Sequence, residues 1–229
     1  MKDIYVVPGG ARAHHGLLRF GPHRSRCALG TGGVTATKKE GDGKTPLGRF
    51  ALRRIWYRQD RIAAPQCALP TVKISQKSGW CDDVNHHLYN RPITRPVAAR
   101  HERLWRHDRL YDVFVELGIN DAPPEKNRGS ALFLHLQKNN FSPTLGCVAV
   151  NHATMTFLLR HITPDTHINI VKKYESVYFF SSNSFKEIET PAFFELTYSF
   201  RQSEDEDFYS LLNNIRLGEN LSETINKIN

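Results

Sequence analysis

Ala131-Leu132-Phe133-Leu134-His135, followed after a polar loop by Ser142-Pro143-Thr144-Leu145-Gly146-Cys147-Val148-Ala149-Val150, is the pivot of this 229-residue chain. An apolar run of strand character ends in a histidine, and a second apolar run starts at a Gly-Cys pair. His135 and Cys147 are twelve positions apart, too far for helical neighbours and suited to the two sides of a strand–loop–strand. Cysteine attacks carbonyls as a thiolate, so a catalytic cysteine needs an imidazole or similar base to take its proton. Gly146 leaves the backbone beside the sulfur unobstructed, where main-chain N–H groups can face a developing oxyanion. Spacing alone leaves a second reading open, that of a small buried thiol and a satisfied strand-end histidine.

Outward from that stretch, short strand signals alternate with turns. Residues 4–7 form a β-branched run stopped by Pro8-Gly9-Gly10, and 16–20 and 25–30 flank Gly21-Pro22. Phe50, Leu52 and Trp56 take alternate positions within 48–56, the mark of a strand with one buried face. Residues 72–75 and 111–118 add two more strands. Asn151 caps a predicted helix running to about residue 161, with Met155, Leu158, Leu159 and Ile162 at helical spacing, before a closing strand at 167–171. Residues 78–92 are irregular, aromatic and polar, and read either as a rim beside an active site or as a plain connection. His101-Glu102-Arg103-Leu104-Trp105-Arg106 reads as a short helix or turn. Gly30-Thr31-Gly32-Gly33 lacks the Gly-Lys-Ser/Thr ending of a phosphate loop and is predicted to be a flexible turn. The pattern as a whole predicts a mainly β domain, a sandwich or barrel with one or two short helices, rather than βαβ units.

Composition narrows the classes. No run approaches the ~18 apolar residues of a membrane span, and the first eight residues lack the charged start and apolar stretch of a secretory signal. The formal charge of +8 divides into −6 from Tyr174 onward and +14 for the rest. A basic body suits an anionic polymer such as cell wall, and equally an ordinary solvated surface. Neither an aromatic-and-basic RNA signature nor a helix-turn-helix is visible, so nucleic acid is not an expected partner. Cys27, Cys67, Cys81 and Cys147 form no C-x-x-C pair, so no structural zinc is expected and the thiols are expected to be mostly reduced. His14-His15 and His86-His87 read as loop histidines rather than metal ligands. The sequence carries no signal for oligomeric state.

Two motifs in order give a family resemblance. His135 with Ser142-Pro143-Thr144-Leu145-Gly146-Cys147-Val148 resembles the active-site segment of the YkuD-type L,D-transpeptidases, a histidine, a loop, then Ser/Thr-x-Gly-Cys and an aliphatic residue. Glu40-Gly41-Asp42-Gly43-Lys44-Thr45-Pro46-Leu47-Gly48-Arg49-Phe50 resembles that family's Gly-x-x-x-Thr-Pro-x-Gly-x-Phe segment. The chain departs from the pattern at Leu136, Leu145 and Ala149, where members commonly carry a glycine, a second histidine and an arginine. It therefore resembles a divergent branch, and the missing arginine removes a natural carboxylate clamp.

The resemblance implies a mixed β-sandwich over residues 1–173 and is exhausted near Val171; beyond it, 174–229 reads from its charge as an acidic extension of unknown role, expected to dock in part through its aromatic pairs while its acidic run stays mobile. It implies Cys147 as nucleophile, His135 as base, and backbone N–H groups of Thr144, Leu145, Gly146 and Cys147 as oxyanion donors. It further implies peptidoglycan stem peptides as substrate, 3→3 cross-links as product, no cofactor, and a place in the cell envelope or periplasm, although cytoplasmic work on internal fragments fits the missing signal. Hydrolysis by the same site, as an L,D-carboxypeptidase, and a non-catalytic wall-binding module are the alternatives.

Overall fold

Side chains alternating along short strands set up two cores on opposite faces of one sheet. The computed structural model describes residues 3–9, 12–138 and 141–172. The chain opens as the expected meander: β1 (Ile4–Pro8), β2 (His15–Phe20) and β3 (His23–Ala28) pair antiparallel in sequence. The short β4 (Val34–Thr35) and β5 (Thr45–Pro46) pair with each other in parallel. The ten-residue β6 (Gly48–Tyr57) has β7 (Thr71–Lys73) parallel beside its end. Next, β8 (Ser78–Cys81), β9 (Pro92–Thr94) and β10 (His101–Arg103) build a separate sheet in the order β10-β8-β9. Then come β11 (Val113–Leu117), β12 (Phe133–Leu136), β13 (Val148–Val150), the helix α1 (His152–His161) and β14 (His167–Ile170). The large sheet runs β11-β12-β13-β3-β2-β1-β14-β6-β7, and an extra pairing of β11 with β6 closes it on itself as a barrel. Closure pairs strand edges that would otherwise stay open.

One face of that sheet collects Val113, Val115 and Leu117 from β11, Leu134 from β12, and Val148 and Val150 from β13. Over this core α1 lays Met155, Leu158 and Leu159, its first turn capped by Asn151, whose Oδ1 accepts the Thr154 N–H at 2.7 Å. The intervening residues point the other way. Phe114, Phe133, Trp56 and Tyr111 join Trp80 and Leu104 in a second core beneath the small sheet. Phe114 lies 4.4 Å from Phe133, and Trp80 and Tyr111 meet Phe133 edge-on at 5.0 and 5.9 Å. Offset and edge-on rings at such separations are the favoured aromatic geometries.

Three local expectations are corrected. Residues 101–103 form a strand rather than a helix or turn, because Glu102 pairs with Trp80 and Arg103 with Gly79 across the β8 edge. The irregular stretch 78–92 contributes β8 and the start of β9. The glycine-rich segment 30–33 is not a free turn: Gly30 N–H donates to Thr45 Oγ1 at 2.8 Å, Thr31 N–H to Thr144 O at 2.9 Å, and Gly32 N–H to Gly43 O at 3.0 Å. The extension expected over 174–229 lies outside the described residues. Among the described residues no helix is long and apolar enough to cross a membrane.

Asn90 ties the small sheet to the barrel. Its Oδ1 accepts Trp80 Nε1–H at 2.9 Å and Ala131 N–H at 3.1 Å, and its Nδ2 donates to Ile119 O at 3.0 Å and Asn120 O at 2.7 Å. Removing a side chain that satisfies several buried groups leaves each of them desolvated and unpaired. Asn90→Ala is therefore expected to cost about 2–4 kcal/mol, read as a lower urea midpoint at unchanged slope. A change under about 0.5 kcal/mol, the size of an ordinary surface substitution, would show that this tie is not structural.

Candidate active site

The barrel register brings the histidine and the cysteine to one face. Strands β12 and β13 are parallel neighbours with His135 opposite Ala149 and Leu134 opposite Val148. With a period of two, Phe133 and His135 on one strand share a face with Ala149 and with Cys147, the residue before β13. Leu134, Val148 and Val150 fill the opposite core, so a slip of one residue would turn the site inward and expose the core side chains. His135 and Cys147 both line a cleft of about 470 Å³, together with Tyr111, Glu102, Arg106 and Leu145.

His135 is buried, and its Nδ1 lies 2.7 Å from the Leu136 carbonyl oxygen. A carbonyl only accepts, so Nδ1 carries the hydrogen and Nε2 is left as the basic nitrogen. Burial pushes its pKa from 6.5 down to about 4; the Leu136 carbonyl opposes this and the Arg106 charge adds to it. The ring stands edge-on to Tyr111, with centroids 5.4 Å apart.

Cys147 is also buried, and burial pushes its thiol up to about 12, with the Glu102 carboxylate adding and the Phe133 amide, Lys38 and Arg106 opposing. Its Sγ accepts the Phe133 N–H at 3.3 Å and donates to Ala131 O at 3.3 Å. Ala131 holds φ +51°, a left-handed conformation uncommon for a residue with a Cβ. Burial thus favours the uncharged thiol and the uncharged imidazole, and the thiol directs its hydrogen at the Ala131 carbonyl rather than at His135.

The loop before the cysteine is braced from below. Thr144 N–H donates to Leu29 O at 2.9 Å, and Thr144 Oγ1 donates to Cys147 O at 2.7 Å while accepting Gly146 N–H at 3.1 Å. Of the four amides expected around an oxyanion, those of Thr144 and Gly146 are therefore committed. Those of Leu145 and Cys147 have no acceptor among the described residues. Thr144 thus braces the loop through its hydroxyl while its own N–H is paired with Leu29. Gly146 adopts φ +135°, and a Cβ there would sit 2.8 Å from Lys44 O. Beneath it, a Cβ on Gly30 would meet Gly43 O at 2.3 Å. Asp42 pins the opposing turn by accepting Lys39 N–H and Lys44 N–H, both at 2.9 Å, and by pairing with Lys38.

The small sheet and the segment after it supply a charged wall that the motifs did not single out. Tyr111 OH donates to Glu102 Oε1 at 2.7 Å, and Arg106 Nη1 reaches the same oxygen at 3.3 Å. Asp82 and Arg100 also line the cleft and pair at 3.0 Å, so part of the predicted rim does border the site. The only sequence trace of this wall is the run His101-Glu102-Arg103-Leu104-Trp105-Arg106, where charges and an aromatic interleave. Leu145, where members of the family resembled carry a second histidine, is 84% exposed. All four cysteines are free thiols. Among the described residues no group of three or more His, Cys, Asp or Glu side chains is placed to hold a metal ion.

A family model described as the L,D-transpeptidase catalytic domain (YkuD) matches residues 13–170. Comparison with curated proteins and with solved structures returns no match.

Two consequences are measurable. Below pH 6.5 an unfolded chain protonates a histidine that the folded protein keeps neutral to about 4, so the stability owed to His135 is present above 6.5 and is lost as pH falls. Comparing wild type with His135→Gln should show the acid limb flattened by roughly 2 kcal/mol at pH 5; identical acid limbs would mean that the imidazole is not held neutral. Gly146→Ala should cost about 1–3 kcal/mol through its left-handed backbone alone, more if Lys44 cannot shift, and calorimetric melting reads the loss.

Proposed function

The chain belongs to the L,D-transpeptidase family, and on that premise we propose that Cys147 and His135 carry acyl transfer on peptidoglycan stem peptides. One observation supports this above the others: the imidazole and the thiol share one face of adjacent parallel strands at a common cleft, with Nε2 left as the base. The thiol leaves Ala131 O and gives its proton to Nε2 as sulfur attacks the carbonyl between the diamino acid at position three and the terminal D-Ala. The C–N bond breaks as His135 returns that proton to the departing D-Ala nitrogen, leaving a thioester on Cys147. The amine of a second stem then attacks the thioester, loses its proton to His135, and releases the thiol with a 3→3 cross-link formed.

The amides of Leu145 and Cys147 are the donors left for the tetrahedral oxyanion, a contribution of about 3 kcal/mol each in comparable sites. A thiol buried to a pKa of about 12 suits attack concerted with proton transfer better than a standing thiolate. Such a substrate implies work in the cell envelope.

Incubation with muropeptides bearing tetrapeptide stems, followed by mass spectrometry, tests the assignment. Wild type should release D-Ala, carry the acyl mass on Cys147 and yield cross-linked dimers; tripeptides alone would mark water as the acceptor and an L,D-carboxypeptidase. Cys147→Ser should lower D-Ala release at least 1,000-fold, because a hydroxyl is far harder to ionise than a thiol. Undiminished release by Cys147→Ser would end the nucleophile assignment.

A further inference from the structure

Ala149 lines the cleft opposite His135 at the position where the family pattern carries an arginine. A peptide with a free terminal carboxylate must then find its counter-charge on another element. Lys38, Arg100, Arg106 and Lys138 are the Lys and Arg side chains lining the cleft. Lys38 is paired with Asp42, its side chain only 9% exposed. Arg100 gives two N–H groups to Asp82 and its side chain is 63% exposed against 32% for Arg106, so water screens its charge more, and Lys138 is likewise solvent-exposed. Arg106 differs in reach. Its guanidinium lies 5.1 Å from the Tyr111 ring centroid, Tyr111 stands edge-on to His135, and the Arg106 charge acts on both His135 and Cys147.

The same guanidinium is held still but not used up. Nε and Nη2 grip the Asp108 carboxylate at 2.9 and 2.6 Å, and Nη1 donates to Glu102 at 3.3 Å. Three of its five N–H groups are thereby committed and two remain. A planar fork fixed by two carboxylates loses little further freedom on taking a third. Distance fits as well. The carboxylate of a terminal residue lies one residue beyond the scissile carbonyl, and successive Cα atoms are about 3.8 Å apart. Its counter-ion must stand close to the scissile carbonyl, and Arg106 lines the same cleft one aromatic ring away from His135.

We propose that Arg106 binds the free carboxylate of the peptide's terminal residue, and so selects stems that end in an unblocked D-amino acid. The identity of that peptide rests on the acyl-transfer reading above; the anion contact is measured independently of turnover. In the Cys147→Ala protein, calorimetry with a tetrapeptide stem ending in free D-Ala and with its C-terminal amide should show the acid binding at least tenfold tighter. Adding Arg106→Gln should bring that ratio to about one with little change for the amide, and dichroism should verify the fold. Should Arg106→Gln fail to fold with Asp108 and Glu102 unpaired, Arg106→Lys keeps the charge, loses the fork, and should weaken the acid preference three- to tenfold. A parent without acid preference, or a folded Arg106 variant that keeps it unchanged, overturns the assignment. Arg106-dependent binding of the acid without D-Ala release by the unaltered protein sustains this inference and removes the acyl-transfer reading. D-Ala release without acid preference does the reverse.

Discussion

Two backbone crossings that leave no room for a Cβ hold the candidate site together. Gly30 crosses the turn at Gly43, and Gly146 crosses the same turn at Lys44, so each closes the gap on a main-chain oxygen. Glycine is required there by contact, and at Gly146 also by its φ of +135°. The turn is itself rigid, since Asp42 gathers two backbone amides and the Lys38 ammonium, and Thr45 Oγ1 receives the Gly30 amide. The Thr-Pro segment, some hundred residues before the cysteine, therefore acts as the floor on which the Gly-Cys loop is set. The two motifs, far apart in the sequence, are the two halves of one tight joint.

Above that floor the chemistry is governed by dryness. The second core ends at Cys147 and His135, so both polar groups sit against aromatic rings and both favour their uncharged forms. Desolvation is the leading cause for each, larger than any neighbouring charge. Burial thus disfavours a standing thiolate, the form of cysteine most prone to oxidation.

Much of this architecture is legible in the sequence. The alternation at Phe50, Leu52 and Trp56, the Asn151 cap and the apolar runs around His135 and Cys147 encode local geometry that the barrel keeps, because here burial agrees with local preference. The strand at 101–103 was hidden, since its polar run His101-Glu102-Arg103 has no apolar alternation and is extended only by its ladder to β8. Thr144 reads as an oxyanion donor from its position alone, and only the pairing with Gly30 and Leu29 shows that its amide is already taken. The clustering of Glu102, Arg106 and Tyr111 around the dyad arises from packing between elements, for which a one-dimensional pattern has no period to detect.

The small sheet has a hydrogen-bond ladder of its own and meets the barrel through aromatic rings and through Asn90. Its residues facing the cleft can change without disturbing the register that sets His135 against Ala149. The cleft is thereby lined by two pieces of chain, one constrained by close backbone contact and the other by little more than side-chain chemistry. The candidate site thus has one wall that the backbone fixes and one that substitution can rewrite.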